Sequence, residues 1–238
     1  MRLDAYLKER LGSRNKAKDA IDQQRVRVNG ILAAKPAMQV GGEDVIEIEP
    51  ARFDYVSRSG GKLAGILDQY EVRLDNQVCA DIGASTGGFT QCALEHGAAK
   101  VYAIDVGHLQ LDEKLKNNPA VVEMEGVNAR NIEPDWFEEP IDFVCMDVSF
   151  ISCRTILDPL LEKMPPKHLA VLIKPQFECG PEHLNKNHIL KNERVRNRIV
   201  DDMRQYLKQH YSFVRIEPAA VTGRSGNQEY MAYCKDRK

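Results

Sequence analysis

The chain has 238 residues, of which 43% are hydrophobic and 29% are charged, and its formal net charge is −2 at pH 7. This length can hold one α/β core and a small additional module. No apolar run approaches the roughly 18 residues that a membrane-spanning helix needs, and the N-terminus lacks the apolar segment of a signal peptide. The six cysteines form no CxxC pair, so we expect free core thiols and a cytoplasmic protein.

The charges are unevenly distributed along the chain. Residues 1–40 contain nine Lys and Arg against four Asp and Glu, whereas the remaining residues contain 24 against 31. A small basic segment on an acidic body favours a polyanionic partner for that segment. A solvated helix face that happens to be basic would give the same composition, and charge alone does not separate the two interpretations.

The first 50 residues predict a small α+β module. Apolar residues recur at helical spacing near 3–7 and again near 17–21, which predicts two short helices, the second capped by Ser13. The stretches RVRVNG and DVIEIEP then alternate apolar and polar residues, and Asn29-Gly30 is a turn signal between alternating segments. We therefore predict a helix pair followed by a small hairpin-like sheet.

The order of these segments resembles the S4 RNA-binding domain, which recurs in ribosomal proteins and RNA-modifying enzymes. The resemblance rests on RLD, SR-KA, V-VNG, KP and D-I-I in sequence, and it departs at Gln24, where these domains usually have glycine. Closely spaced cations suit a phosphate backbone, which supplies affinity without reading sequence. The resemblance implies that RNA is bound by Arg14, Lys16, Lys18, Arg25, Arg27 and Arg58.

From about residue 60 the chain alternates strands and helices. This alternation predicts an α/β fold, with a Rossmann-like and largely parallel sheet covered by helices on both faces. Ligands of such sheets bind at the carboxyl ends of the strands. The predicted strands are 78–83, 100–105, 120–124, 141–147, 168–173, 213–220 and 228–234, and the predicted helices lie near 61–70, 87–96, 152–163 and 193–210.

The stretch DIGASTGGFT, residues 81–90, follows the first predicted strand of this sheet. It lacks the spaced glycines of dinucleotide-binding folds and the Gly-Lys-Ser/Thr of phosphate loops. Asp105 ends the next strand, where a carboxylate can accept hydrogen bonds from a nucleoside ribose. S-adenosylmethionine is the leading ligand, and a tight turn with solvated carboxylates is the alternative. The expected contacts are Gly83, Ala84, Ser85, Thr86, Gly87, Gly88, Phe89, Asp105, Val106 and Asp147.

Charged residues also stand where other strands of the sheet are predicted to end. Asp147 ends the fourth strand, Lys174 follows the fifth in VLIKPQFE, and Glu229 begins the last in GNQEYMAYC. Lys62 stands at the start of the first predicted helix, after the polar run YVSRSGG. We expect the four side chains to meet at one edge of the sheet, and two unrelated surface salt bridges are the alternative.

In chain order these four residues resemble the Lys-Asp-Lys-Glu set of the FtsJ-like RNA ribose 2′-O-methyltransferases. Together with the S4-like head, they make the whole chain resemble the TlyA family of rRNA 2′-O-methyltransferases, whose members are often labelled haemolysin. The family's linker usually reads SRGG, where this chain has SRSG at 57–60. The resemblance thus rests on an ordered set of motifs, each of which is modest alone.

The resemblance implies an S4-like domain with its linker at 1–60 and an FtsJ-like methyltransferase domain at 61–238. It implies that Lys62, Asp147, Lys174 and Glu229 are catalytic, and that Asn128 contacts the adenine of S-adenosylmethionine. The implied substrate is a ribose 2′-hydroxyl, of a cytidine, in ribosomal RNA or a ribosomal subunit. No metal site is expected. A membrane-acting haemolysin and a catalytically inactive RNA-binding protein remain the alternative functions.

The expected chemistry suits these residue types. A ribose hydroxyl is too weak an acid to be a nucleophile at neutral pH, so it needs a group that stabilises its developing negative charge or takes its proton. Lys174 can do either, because the charge of a lysine responds to its neighbours. Lys62 would be a second cation near it, and Asp147 and Glu229 would orient the two amino groups.

Overall fold

The computed structural model describes residues 1–50, 54–221 and 226–238. The chain divides into two compact units, Met1–Ser57 and Arg58–Lys238. This division lies three residues before the expected boundary at 60/61, so Arg58 belongs to the same unit as Lys62. Residues 51–53 of the expected linker lie outside the described residues.

The first unit contains the helix pair and the small sheet that the sequence predicts. Its antiparallel sheet has the strand order β2-β1-β3. Ser13 caps the second helix, because its side chain accepts a hydrogen bond from the Lys16 amide at 3.1 Å, and this prediction is confirmed. The elements are α1 (Leu3–Leu11), α2 (Arg14–Asp22), β1 (Val26–Val28), β2 (Ile31–Leu32) and β3 (Ile46–Ile48).

Gln24, which stands where S4 domains usually have glycine, lies in a turn that suits glycine. Its backbone lies in the left-handed region, with φ of 57°, between α2 and β1. Glycine adopts this conformation without the steric cost that a Cβ adds, which is why it suits this position in similar modules. In this chain glutamine adopts the conformation in an exposed turn. The core of the unit includes the buried Leu3, Leu7 and Val26.

The second unit is a seven-stranded sheet of order β6-β5-β4-β7-β8-β10-β9, covered by helices. All strands are parallel except β10, which is antiparallel to both β8 and β9. The elements are α3 (Ser59–Gln69), β4 (Val78–Ile82), α4 (Gly88–Glu95), β5 (Lys100–Asp105), α5 (Glu113–Lys116), β6 (Val121–Glu125), β7 (Phe143–Met146), α6 (Arg154–Lys163), β8 (His168–Ile173), α7 (Pro175–Glu178), α8 (Glu193–His210), β9 (Tyr211–Pro218) and β10 (Tyr230–Arg237).

The seven predicted strands all occur, with ends that differ by three residues or fewer from the prediction. The sequence did not predict α5 and α7, because four residues are too few to show a helical period. All six cysteines are free, and only Cys179 is not fully buried, as expected for thiols that pack as small apolar residues. No helix among the described residues is long and apolar enough to cross a membrane.

The strand directions determine where a site can form. The parallel strands β4, β5, β7 and β8 end at the same edge of the sheet. β10 runs the opposite way and begins at that edge, where Tyr230 pairs with Ile173 at the end of β8. Residues that follow β4, β5, β7 and β8 are therefore near residues that precede β10, and we call this side of the sheet the carboxyl edge.

Candidate active site

The glycine loop after β4 needs glycine at two positions, because the backbone conformation and the space available there do not suit a side chain. Gly83 and Gly87 have φ of 83° and 93°. A Cβ on Gly83 would lie 2.5 Å from the Asp147 carbonyl oxygen, and one on Gly87 would overlap the Leu115 side chain of α5. The two glycines thus let the loop pass close to the end of β7 on one side and to α5 on the other.

Asp105, at the end of β5, is tied to the glycine loop. Its Oδ2 accepts a hydrogen bond from the Ser85 amide at 2.8 Å, and its Oδ1 accepts one from the Gly107 amide at 2.7 Å. Each carboxylate oxygen can accept more than one hydrogen bond. The side chain is therefore fixed in place while it retains acceptor capacity for further hydrogen bonds.

Glu125, at the end of β6, fixes the segment that follows Asp105. Its carboxylate accepts hydrogen bonds from the amides of Leu109, Gln110 and Leu111 at 2.5, 2.8 and 3.4 Å. These backbone amides lower the pKa of Glu125 to about 2. Val106 and Leu109 in the same segment are 70% and 88% exposed. No local pattern in the sequence points to Glu125, because a glutamate at the end of a strand has many possible partners.

The other predicted cofactor residues differ in accessibility. Gly88 and Phe89 are buried in the first turn of α4, where the Phe89 ring packs in the core. Asn128 is exposed, and its side-chain oxygen accepts a hydrogen bond from the Arg130 amide at 3.1 Å. The Phe89 ring is therefore not accessible to a ligand, whereas Asn128 is accessible and its side-chain oxygen already accepts one hydrogen bond.

Asp81 in β4 is completely buried beside the glycine loop. Its Oδ2 accepts a hydrogen bond from the Thr90 hydroxyl at 2.7 Å. Its Oδ1 has no hydrogen-bond partner among the residues that the structure describes. Burial raises the pKa of Asp81 to about 7, and the nearby Asp147 carboxylate adds to this effect. A buried oxygen without a donor is costly, so this site favours a ligand that supplies a donor or a positive charge.

Lys62 and Glu229 form one of two ion pairs at the carboxyl edge. The Lys62 Nζ lies 2.5 Å from the Glu229 Oε2, and their side chains are only 7% and 6% exposed. Lys62 projects from the first turns of α3, and Glu229 immediately precedes β10. Gly65 lets α3 approach the end of β9, because a Cβ there would lie 2.6 Å from the Ala220 Cβ.

Lys174 and Asp147 form the second pair. The Lys174 Nζ lies 2.6 Å from the Asp147 Oδ1, and the side chains are 10% and 16% exposed. The same Nζ donates a hydrogen bond to the Ser149 hydroxyl at 2.7 Å. Asp147 Oδ1 has no hydrogen-bond partner within the described residues, so its contact with Lys174 is a close ion pair whose angles do not make a hydrogen bond.

The four predicted catalytic residues are therefore brought to one edge in two pairs. Asp147 follows β7, Lys174 follows β8, and Glu229 precedes β10. Since Tyr230 pairs with Ile173, the backbones of Glu229 and Lys174 are neighbours. This arrangement is more than two unrelated surface ion pairs, because three adjacent strand ends and one helix carry the four charges and all four side chains are largely buried.

The predicted RNA-binding residues of the first unit fall into two groups. Arg14 and Lys18 are exposed on α2, and Lys16 lies 3.3 Å from the exposed Asp54 carboxylate. Arg25 and Arg27 instead bond to the small sheet: Arg25 donates to the Glu49 carbonyl oxygen at 2.9 Å, and Arg27 lies 3.5 Å from the Glu49 carboxylate. The basic face available to a polyanion is therefore centred on α2.

An aromatic pair beside Lys174 was not predicted. Phe150 is 87% exposed, although its φ of 66° is unfavourable for a bulky residue. Its ring lies 5.2 Å from the ring of Phe177 on α7. A phenylalanine after a strand-end aspartate is visible in the sequence, but its exposure depends on how the segment between β7 and α6 turns, and the sequence does not show that.

Comparison with known proteins agrees with this fold. Residues 55–236 match the model of the FtsJ-like methyltransferase family, and residues 1–46 match the S4 domain. Hemolysin A of Brachyspira hyodysenteriae is 38% identical, over 98% of this chain and 99% of the relative. The 16S/23S rRNA (cytidine-2′-O)-methyltransferase TlyA of Mycobacterium tuberculosis is 34% identical, over 98% of this chain and 89% of the relative.

A solved structure named as a hemolysin, from Streptococcus thermophilus, superposes with a TM-score of 0.77 at 31% identity, over 99% of this chain and 88% of that one. The fold and the two matching family models define a Rossmann-like methyltransferase that carries an S4 domain. The chain belongs to the TlyA family of FtsJ-like methyltransferases.

Proposed function

We propose that this enzyme transfers the methyl group of S-adenosylmethionine to a ribose 2′-hydroxyl of ribosomal RNA, at a cytidine. The observation that carries the proposal is the Lys174–Asp147 pair at the carboxyl edge, 2.6 Å apart, beside a glycine loop and the Asp105 carboxylate that two backbone amides hold in place. The relatives that share 34% identity with this chain over nearly all of its length are named as enzymes of this activity, which supports the substrate. An rRNA substrate also agrees with the cytoplasmic location that the sequence favours.

The residues at the carboxyl edge fit S-adenosylmethionine. Asp105 has acceptor capacity for the two ribose hydroxyls, and the glycine loop gives close access to backbone amides. The buried Asp81 Oδ1, which lacks a donor within the described residues, suits a cofactor that carries an amino group and a sulfonium. When bound, S-adenosylmethionine supplies an electrophilic methyl group, which the ribose oxygen accepts with loss of its proton.

Lys174 is the residue that we assign to the ribose hydroxyl. Its Nζ has three donor positions when charged, and Ser149 takes one of them at 2.7 Å. A position left for the substrate oxygen can stabilise its developing negative charge, or the amine can accept its proton when neutral. Asp147 holds the Lys174 amino group at the carboxyl edge. In the neighbouring pair, the charges of Lys62 and Glu229 compensate each other.

Two surfaces support an RNA substrate. The basic face of α2, with Arg14, Lys16 and Lys18, suits a phosphate backbone. The exposed Phe150 ring, close to Lys174 in the fold through Ser149, suits the face of a base that has left its helix, since RNA-modifying enzymes hold such bases on aromatic rings. We assign Phe150 to the base of the target nucleotide and Lys174 to its ribose.

The test is methylation of rRNA by the purified protein. Small- and large-subunit rRNA, naked and as assembled subunits, are incubated with radiolabelled S-adenosylmethionine, and 2′-O-methyl positions are mapped by resistance to alkaline cleavage. We expect label at a cytidine ribose, and none with Lys174→Ala. Label on a base, or equal labelling by Lys174→Ala, would contradict the proposal.

A further inference from the structure

The segment between β7 and α6, residues 148–153, is held at both ends beside Lys174. At its start the Asp147 amide donates to the Ile82 carbonyl oxygen at 2.9 Å. At its end the Glu178 carboxylate accepts the Cys153 amide at 2.8 Å and the Ser152 hydroxyl at 2.5 Å. Glu178 belongs to α7, which begins directly after Lys174. The segment that follows Asp147 is thus bonded to the helix that follows Lys174.

Ser149 lies within this fixed segment and contacts the amino group of Lys174. Its hydroxyl accepts a hydrogen bond from the Lys174 Nζ at 2.7 Å, and the residue is exposed. The turn at Phe150, with φ of 66°, follows immediately and limits how the segment can shift. The position of the Ser149 hydroxyl is therefore fixed by a segment whose backbone is held at both ends.

The two contacts of Lys174 differ in what they fix. Asp147 attracts the amino group at 2.6 Å, but the angles of this contact do not make a hydrogen bond, and Asp147 Oδ1 has no hydrogen-bond partner in the described part of the chain. Charge attraction sets distance without setting the direction of the N–H bonds or the lone pair. The bond to Ser149 is directional, so it decides where the remaining positions of the Nζ point.

We infer that Ser149 is a positioning residue for methyl transfer, and that it orients the Lys174 amino group toward the substrate hydroxyl. The inference rests on the proposed function, because it takes Lys174 as the residue that faces the ribose oxygen. A serine hydroxyl can accept a bond from a charged lysine and can donate one to a neutral lysine. It therefore keeps the same orientation on both sides of a proton transfer, which a carboxylate cannot do.

The test compares three serine variants of the full chain, in single-turnover methylation of rRNA with saturating cofactor. Ser149→Ala should lower the rate about tenfold to a hundredfold, the effect expected when a hydrogen bond to a charged group is lost. Ser149→Thr, which keeps the hydroxyl, should restore most of it. Ser212→Ala is the matched control: it removes an exposed serine hydroxyl near the start of β9, at the opposite edge of the sheet from Lys174, and should stay within about threefold of the wild-type rate.

Dissociation constants for S-adenosylmethionine and for RNA, from calorimetry and filter binding, should not change in Ser149→Ala, since only the chemical step is affected. A rate within twofold of wild type for Ser149→Ala, with Lys174→Ala inactive, would overturn this inference and leave the proposed function intact. Weakened binding of S-adenosylmethionine or RNA by Ser149→Ala, together with no recovery of rate in Ser149→Thr, would mean that Ser149 is only structural. That result would also overturn the inference. An active Lys174→Ala would instead refute the proposed role of Lys174.

Discussion

The two ion pairs at the carboxyl edge have nearly equal lengths and different surroundings. The Lys62–Glu229 pair measures 2.5 Å, with side chains 7% and 6% exposed. The Lys174–Asp147 pair measures 2.6 Å, with side chains 10% and 16% exposed. Lys62 makes its bond to Glu229 with good geometry, whereas Lys174 makes its hydrogen bond to an exposed serine. We call Lys62–Glu229 the closed pair and Lys174–Asp147 the open pair.

The different surroundings indicate that the two lysine–carboxylate pairs have different roles, although their charges are the same. The charges of the closed pair compensate each other inside the protein, where breaking the pair leaves one charge uncompensated. The amino group of the open pair is held by one directional bond, which leaves capacity for a substrate atom. We therefore expect changes in the open pair to affect the rate of methyl transfer, and changes in the closed pair to affect the stability of the folded state as well.

The largest effect is expected from the open pair. Lys174→Ala should lower the single-turnover rate of methyl transfer by about 10²–10⁴, the range for a positioned proton-transfer group, and should bind cofactor and RNA normally. Lys174→Arg should also fail, because guanidinium is bulkier and does not lose its proton near neutral pH. If either variant transfers methyl groups at nearly the wild-type rate, the distinction between the pairs breaks down.

The closed pair can be tested through stability. Lys62→Met leaves the Glu229 carboxylate buried without its cation, and should lower the free energy of unfolding by about 3–5 kcal/mol. The double variant Lys62→Met/Glu229→Leu should regain most of this loss, since apolar residues of similar volume replace both charges. Urea unfolding measures the free energy of unfolding of both variants. The double variant should remain impaired in methyl transfer, and full recovery of rate would mean that the closed pair is only structural.

Asp81 supplies a third case, a buried carboxyl group whose side-chain partner, among the residues that the structure describes, is the Thr90 hydroxyl and not a cation. Its pKa rises from 3.8 to about 7 on folding, chiefly through burial, so the folded state holds its proton more tightly than the unfolded state. This contribution to stability is present below about pH 4 and is lost as the pH rises through about 7. Relative to Asp81→Asn, the wild type should therefore lose stability over this range in urea titrations without cofactor. A constant difference would place a compensating charge beside Asp81.

The exposed cations of α2 should have the smallest effect on the fold and none on the chemical step. Removing Arg14, Lys16 and Lys18 together should weaken RNA binding similarly for all sequences. It should also flatten the dependence of log K on log salt by about 0.7–0.9 for each lost phosphate contact. Lys208→Ala, on the last turn of α8, should leave the slope unchanged. An unchanged slope in the triple variant would mean that RNA lies on another face.

Much of the fold followed from local patterns in the chain. The seven strands, the Ser13 cap and the Asn29-Gly30 turn were predictable, because period, capping and turn chemistry are properties of neighbouring residues. The short helices α5 and α7 were not. Each contains four residues, and α5 is stabilised by packing of Leu115 over Gly87, a contact between segments that are distant in the sequence.

The sequence by itself determined which chemical groups the protein has and at which strand ends they stand. Lys62, Asp147, Lys174 and Glu229 could be named from their order and their positions next to predicted elements. The tertiary structure decided how they are paired, because the antiparallel β10 brings Glu229 next to the end of β8 while α3 carries Lys62 to it. It also decided that Lys174 donates to Ser149 and that Asp81 is buried with the Thr90 hydroxyl as its partner. Hydrogen-bond direction and burial depend on the packing of segments that no local pattern describes.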